Sequence, residues 1–236
     1  MRVILLYGLQ LCFLLLLPVI IRQGKRVKEN TVRLPEAKGE RTFGQQQELS
    51  LLHIGESTVV GVGVEDISDG LTANIVRTLE TSANTRIKAH VVGKSGARVS
   101  EILRLPAVDE QIDLLIVTMG VNDTVGMTVI KKWRTRTSAC VEKFGDPSTK
   151  VFITGVPAMH QFPALPAPLS WFLGVRSKLL NASLEEMCHK NGWQFVPANM
   201  MITPELMATD GYHPNVKGYR VWGESIGQLI GKNSLT

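Results

Sequence analysis

Four short clusters hold the residues whose chemistry can combine: Gly55-Glu56-Ser57-Thr58, Gly93-Lys94-Ser95-Gly96, Gly120-Val121-Asn122-Asp123 and Asp210-Gly211-Tyr212-His213-Pro214-Asn215. Together they contain what acyl transfer by a serine needs. A serine hydroxyl is a poor nucleophile until a base takes its proton. The base needs an acid to fix its tautomer, and the tetrahedral oxyanion needs donors already aimed at it. An aspartate three residues before a histidine, in a turn ended by Pro214, brings its carboxylate to the ring nitrogen that faces away from a serine. Glycine at 96 lets an amide approach a substrate without a Cβ in the way. The side chain of Asn122 offers a donor without a charge that would pair with a carboxylate product.

Residues this far apart must be gathered by regular elements. Leu51-Leu52-His53-Ile54 is a short apolar run that stops at Gly55, and similar runs recur at 87–92, 112–119, 151–154 and 193–196. These predict five strands. Between them lie stretches with helical spacing: Leu71, Ile75, Val76 and Leu79; Val129, Trp133, Cys140, Val141 and Phe144; Leu173, Leu180, Leu184 and Met187. Continuous apolar strands alternating with helices imply a mostly parallel sheet covered on both faces. In such sheets ligands bind beyond the carboxyl ends of the strands, where three of the four clusters fall.

With these residues in that order, the chain resembles the SGNH/GDSL hydrolase family over residues 51–231. The four markers are Ser57 in Gly-Glu-Ser, Gly96 in Lys-Ser-Gly, Asn122 in Gly-Val-Asn-Asp and His213 in Asp-Gly-Tyr-His-Pro. The resemblance implies an α/β, flavodoxin-like three-layer α/β/α sandwich, with Ser57 as nucleophile, His213 as general base and Asp210 orienting it. It also implies an oxyanion hole made by the Ser57 and Gly96 amides and the Asn122 side chain. The expected activity is carboxylic ester hydrolysis through an acyl-enzyme, without metal or organic cofactor. The family usually has Asp where this chain has Glu56, and Leu where it has Thr58. A carbohydrate O-deacetylase or a thioesterase would use the same residues, and a binding or assembly protein could keep the fold without turnover.

Other motifs carry less. Gly223-Glu224-Ser225-Ile226-Gly227 fits a nucleophile elbow by letter, but too few residues follow it to supply an acid and a histidine. His53, His90, His160 and His189 show no zinc spacing, and three cysteines define neither a disulfide framework nor a metal pair. Residues 156–172 interleave Pro157, Pro163, Pro166 and Pro168 with Met159, Phe162, Leu165, Leu169, Trp171 and Phe172. This reads as a loop rather than a helix. Core packing is its first explanation, and a substrate-binding role for Phe162 and Trp171, lining an acyl pocket or touching lipid, is the second.

The 236 residues suit a single core. The formal charge of +5 is confined to one end. Residues 1–28 hold five cations and no acid, leaving 21 basic against 21 acidic residues beyond them. A neutral body without an arginine-rich stripe disfavours nucleic acid as a partner. The expected partners are a small simple or lipid-like ester and a membrane. Residues 3–21 form an apolar stretch interrupted only by Gly8, Gln10 and Pro18. As a helix it nearly matches a hydrocarbon core of roughly 30 Å. It predicts an uncleaved anchor over residues 1–21, with a cleaved signal and a secreted or periplasmic protein as the alternative. Arg22, Lys25, Arg26 and Lys28 after the span outnumber Arg2 before it, which by cation counting favours a cytoplasmic body. An amino-terminal anchor on a hydrolase argues the other way. Residues 22–50, with six apolar residues in 29 and the run Gly44-Gln45-Gln46-Gln47-Glu48, read as a polar linker to a domain at 51–236.

Overall fold

The structure is a computed structural model that describes residues 2–44, 48–200 and 202–234. Gln45, Gln46 and Gln47 of the polar run lie outside the described residues. Six strands form one sheet in the order β1-β3-β2-β4-β5-β6. They are β1 Thr42–Phe43, β2 Leu49–Gly55, β3 Ile87–Gly93, β4 Leu114–Thr118, β5 Lys150–Thr154 and β6 Gln194–Val196. All neighbours run parallel except β1, which pairs antiparallel with β3 through Thr42 opposite His90. The five apolar runs are therefore five parallel strands. The additional strand, β1, is two residues long, which is too short to show an alternating pattern.

Alternate strand residues face opposite layers, as the pleat requires. Leu52, Ile54, Leu115, Val117, Val151 and Ile153 pack with Ile102, Trp133, Cys140, Phe144, Leu180 and Leu184. That layer consists of α4 (Val99–Ile102), the short α5 (Val121–Val125), α6 (Ile130–Phe144) and α7 (Leu169–Asn191). On the other face Leu51, Ala89, Leu114, Ile116 and Phe152 meet Leu71, Ile75, Leu79, Tyr219, Trp222 and Ile226. These last residues belong to α3 (Leu71–Ala83) and α8 (Val216–Ser234). The result is the three-layer α/β/α sandwich expected. Cys140 and Cys188 are buried within the first layer, and burial pushes both thiols up to about 12.

The helix α7 begins at Leu169, inside the stretch that its prolines had marked as a loop. The last of those prolines is Pro168, so nothing forbids a helix from the next residue onward. Trp171 and Phe172 consequently stand on its first turn. At the far end Gly192 adopts the left-handed conformation, with φ +72°, that stops a helix cleanly.

The amino-terminal apolar stretch is helical as α1 (Arg2–Cys12), a short 3₁₀ turn (Phe13–Leu16) and α2 (Leu17–Asn30). Residues Ile4–Asn30 form a helix long and apolar enough to cross a membrane. Most of its large apolar side chains are exposed, including Leu5, Leu11, Leu14 and Leu15. Its inner side joins the domain. Ile20 is buried among Phe162, Leu165, Leu169 and Phe172, and Phe13 meets the Phe172 ring edge-on at 5.8 Å. Gln23 donates from Nε2 to the Ala167 carbonyl at 2.7 Å and accepts the Leu169 amide at 3.1 Å. Residues 22–50, read as a linker, thus begin as nine residues of helix. They go on to hydrogen-bond the body through Ala37 N to Val60 O (3.1 Å) and Ile67 N to Lys38 O (2.8 Å).

Candidate active site

β2 ends at Gly55, β3 at Gly93 and β4 at Thr118, all at one edge of the sheet. Ser57, Gly96 and Asn122 follow these three ends, and the Asp210–His213 turn precedes α8. The structure brings the alcohol, imidazole and carboxylate together. His213 Nε2 lies 2.8 Å from Ser57 Oγ, and His213 Nδ1 lies 2.5 Å from Asp210 Oδ2. A ring nitrogen facing a carboxylate carries the proton, so Nδ1 donates to Asp210 and Nε2 is left to accept from the Ser57 hydroxyl.

Asp210 is buried, whereas the His213 side chain is 22% exposed, open enough for a reactant to reach the ring. Burial alone would raise the Asp210 carboxyl. The bond from the His213 ring and those from the Tyr212 and His213 amides (2.9 and 3.1 Å) outweigh it and hold the group below the usual carboxylate range. The turn is braced from two sides. Tyr212 donates its hydroxyl to the Ala164 carbonyl at 3.2 Å and stacks on Phe162. Gly63, at φ +107°, lies so close to Pro214 that a Cβ there would sit 2.3 Å from the Pro214 carbonyl oxygen. Only glycine fits that approach.

Gly96 has φ +74° and open space where a Cβ would stand. What calls for glycine here is the backbone conformation, not relief of crowding. Among the described residues the amides of Ser57 and Gly96 have no intramolecular acceptor, so both are free to receive an anion. The loop carrying Gly96 is held by a residue from the amino-terminal segment: Glu36 Oε1 accepts the Ser95 amide at 2.7 Å, and Glu36 Oε2 pairs with Arg41. Sequence reasoning missed Glu36, which stands 59 positions from its partner and inside a polar run.

The Asn122 side chain, expected as an oxyanion donor, is engaged within the protein. Its Nδ2 donates to Glu56 Oε2 at 2.6 Å and to the Ala97 carbonyl at 3.1 Å. Both neighbours are acceptors, which fixes the amide nitrogen on that side. Burial pushes the Glu56 carboxyl up to about 7, and the nearby Asp123 adds to this. The amides of Asn122 and Val121 pull the other way.

Phe162 is buried in the cluster under the Asp210–His213 turn, and Trp171 is 57% exposed. A cleft of about 430 Å³ opens beside Asp210, between Gln23, Arg26 and Thr31 on the amino-terminal helix side and Ala164, Pro166 and Tyr212 on the other. His53 is buried between the hydroxyls of Thr72 (2.9 Å) and Thr118 (2.8 Å), and burial lowers it to about 3. It is a neutral core residue. No cluster of metal-ligating side chains occurs among the described residues.

A doubly wound sheet thus carries a serine, a histidine and an aspartate hydrogen-bonded in series at the carboxyl ends of its strands. Residues 53–221 match the GDSL-like Lipase/Acylhydrolase family, and the chain belongs to that family. Its fold is similar to that of a lipase/acylhydrolase from Enterococcus faecalis, with TM-score 0.63 and 19% identity over 78% of this chain and 96% of that one. It is also similar to TesA, with TM-score 0.63 and 16% identity over 79% and 99%. The psychrotrophic esterase EstA from Pseudoalteromonas sp. gives TM-score 0.60 and 17% identity over 78% and 98%. No curated protein matches the sequence.

Proposed function

We propose that the chain is a serine carboxylic ester hydrolase that works through an acyl-enzyme on Ser57. The observation that carries this is the continuous relay from Ser57 Oγ through the His213 ring to the Asp210 carboxylate. In this reading His213 Nε2 takes the Ser57 proton as Oγ attacks the ester carbonyl. The Ser57 and Gly96 amides receive the oxyanion. The proton then passes from Nε2 to the departing alcohol as the C–O bond breaks, and water, deprotonated by the same nitrogen, releases the acid and restores Ser57. Asp210 keeps its charge throughout and steadies the imidazolium.

The substrate class favoured is a simple or lipid-like ester. The support is physical: the exposed apolar helix runs into a cleft that Asp210 also lines, and Gln23, Arg26, Val27 and Asn30 belong to both. The same helix is proposed to tether the domain to a membrane. Structural neighbours include a carbohydrate acetylesterase from Sinorhizobium meliloti, which keeps an acetylated sugar as the competing substrate.

A fluorophosphonate probe on the full chain, followed by peptide mapping, tests the reading. Labelling at Ser57 that is lost in Ser57→Ala, together with loss of nitrophenyl ester hydrolysis, is the expected result. A wild-type protein that neither labels nor turns over would instead be a binding protein on the same fold.

A further inference from the structure

Glu56 adjoins Ser57 in the chain and is only 3% exposed. Its two carboxylate oxygens take four N–H donors from a single turn. Oε1 accepts the amides of Gly120 (3.1 Å) and Val121 (2.8 Å), and Oε2 accepts the amide of Asn122 (3.1 Å) and its side-chain Nδ2 (2.6 Å). The second hydrogen on Asn122 Nδ2 goes to the Ala97 carbonyl at 3.1 Å. A side-chain amide has two hydrogens, and both are spent inside the protein.

The contrast with the other two oxyanion donors is direct. The Ser57 and Gly96 amides are free among the described residues, whereas Asn122 is bound to a buried charge. Above pH 7, where Glu56 is mostly ionised, such a bond is shorter and about twice as strong as a neutral one, so this donor does not transfer to a new anion without loss. We propose that Glu56 is a positioning residue that withholds the Asn122 side-chain amide from the oxyanion and so restrains turnover. The inference rests on the Ser57-centred reading above and adds to it a built-in limit on the rate.

Side-chain length is what makes the restraint possible. Aspartate at 56 would keep the buried charge but draw the carboxylate back by about 1.5 Å, enough to lose Nδ2. Steady-state kinetics of Glu56→Asp on a nitrophenyl ester, with active sites counted by fluorophosphonate, tests this. We expect kcat to rise about tenfold with KM changed by less than about twofold, because a donor regained in the transition state acts on kcat. In an Asn122→Ala background the effect of Glu56→Asp should shrink to less than about twofold, since the pair is then uncoupled. A purely structural Glu56 gives no such dependence.

Normal labelling at Ser57 with kcat unchanged or lowered in Glu56→Asp overturns the restraint and leaves the serine mechanism intact. Absence of Ser57 labelling in the wild type overturns both. If Glu56→Asp does not fold, a crystal structure of the wild type phosphonylated on Ser57 decides. A phosphonate oxygen out of hydrogen-bond reach of Nδ2, with the Glu56 contact intact, supports the proposal, and a phosphonate oxygen bound by Nδ2 with the Glu56 contact broken ends it.

Discussion

The carboxylate of Glu36 accepts the Ser95 amide at 2.7 Å, so a residue ahead of the first parallel strand fixes the loop that presents Gly96. The polar approach segment is part of the site's scaffold.

Glu36→Ala should release that loop and lower kcat about tenfold, since misplacing a donor by a fraction of an ångström weakens it sharply. Glu36→Gln keeps an oxygen for the Ser95 amide and should recover most of the loss. Rates of fluorophosphonate labelling and of ester turnover, compared across the three proteins, check this.

Asp210→Asn keeps the Oδ1 acceptor for the Tyr212 and His213 amides, so the turn should persist. What changes is the partner of His213 Nδ1, where an NH₂ group would force the wrong tautomer. A loss of about ten thousandfold in kcat with an unchanged far-ultraviolet spectrum is expected. Retention of more than a tenth of the activity would show that Asp210 does not orient the base.

Gly63→Ala places a methyl 2.3 Å from the Pro214 oxygen and 3.2 Å from His213 Cβ, on a backbone at φ +107°. Destabilisation of about 2–4 kcal/mol is expected from strain and crowding together. Activity should fall further than the folded fraction does, because the displaced residue neighbours the base. Denaturant melts and active-site titration on one preparation separate the two effects.

The pH dependence of stability turns on two buried groups that oppose each other. His53, lowered to about 3, stays neutral when folded but binds a proton below about 6.5 when unfolded, so its contribution falls as pH falls from 6.5. Glu56, raised to about 7, binds its proton in the folded state before the unfolded one, so its contribution rises as pH falls from 7 towards 4.5. Between about pH 5 and 6.5 the two slopes, each near 1.4 kcal/mol per pH unit, should nearly cancel in the wild type. His53→Gln should then become more stable on acidification across that window. Urea melts at half-unit pH intervals would show it, and a wild-type-like flat profile in the variant would refute it.

The legible parts of this molecule are those set by local pattern. Leu51 to Ile54 and the four later apolar runs announce parallel strands because both faces of each are covered. Pro168 conceals the start of α7 only because three other prolines precede it. Ser57, Gly96, Asn122, Asp210 and His213 can be picked out because a strand end or a turn is visible beside each. The bond from Asn122 to Glu56 is not legible, since it spans 66 positions and depends on β2 and β4 being neighbours in the sheet. The helical course of residues 22–30 was hidden by its charges, which mark a solvated face as readily as a loose tether.

The distribution of the three cysteines gives the protein its own reporter. Cys140 and Cys188 are sealed in the sandwich with their thiols pushed far from ionisation, while Cys12 stands exposed on the apolar helix. A thiol-reactive fluorophore added to the native, unmutated protein would therefore mark a single place, and its emission colour would report whether that place sits in water or among acyl chains.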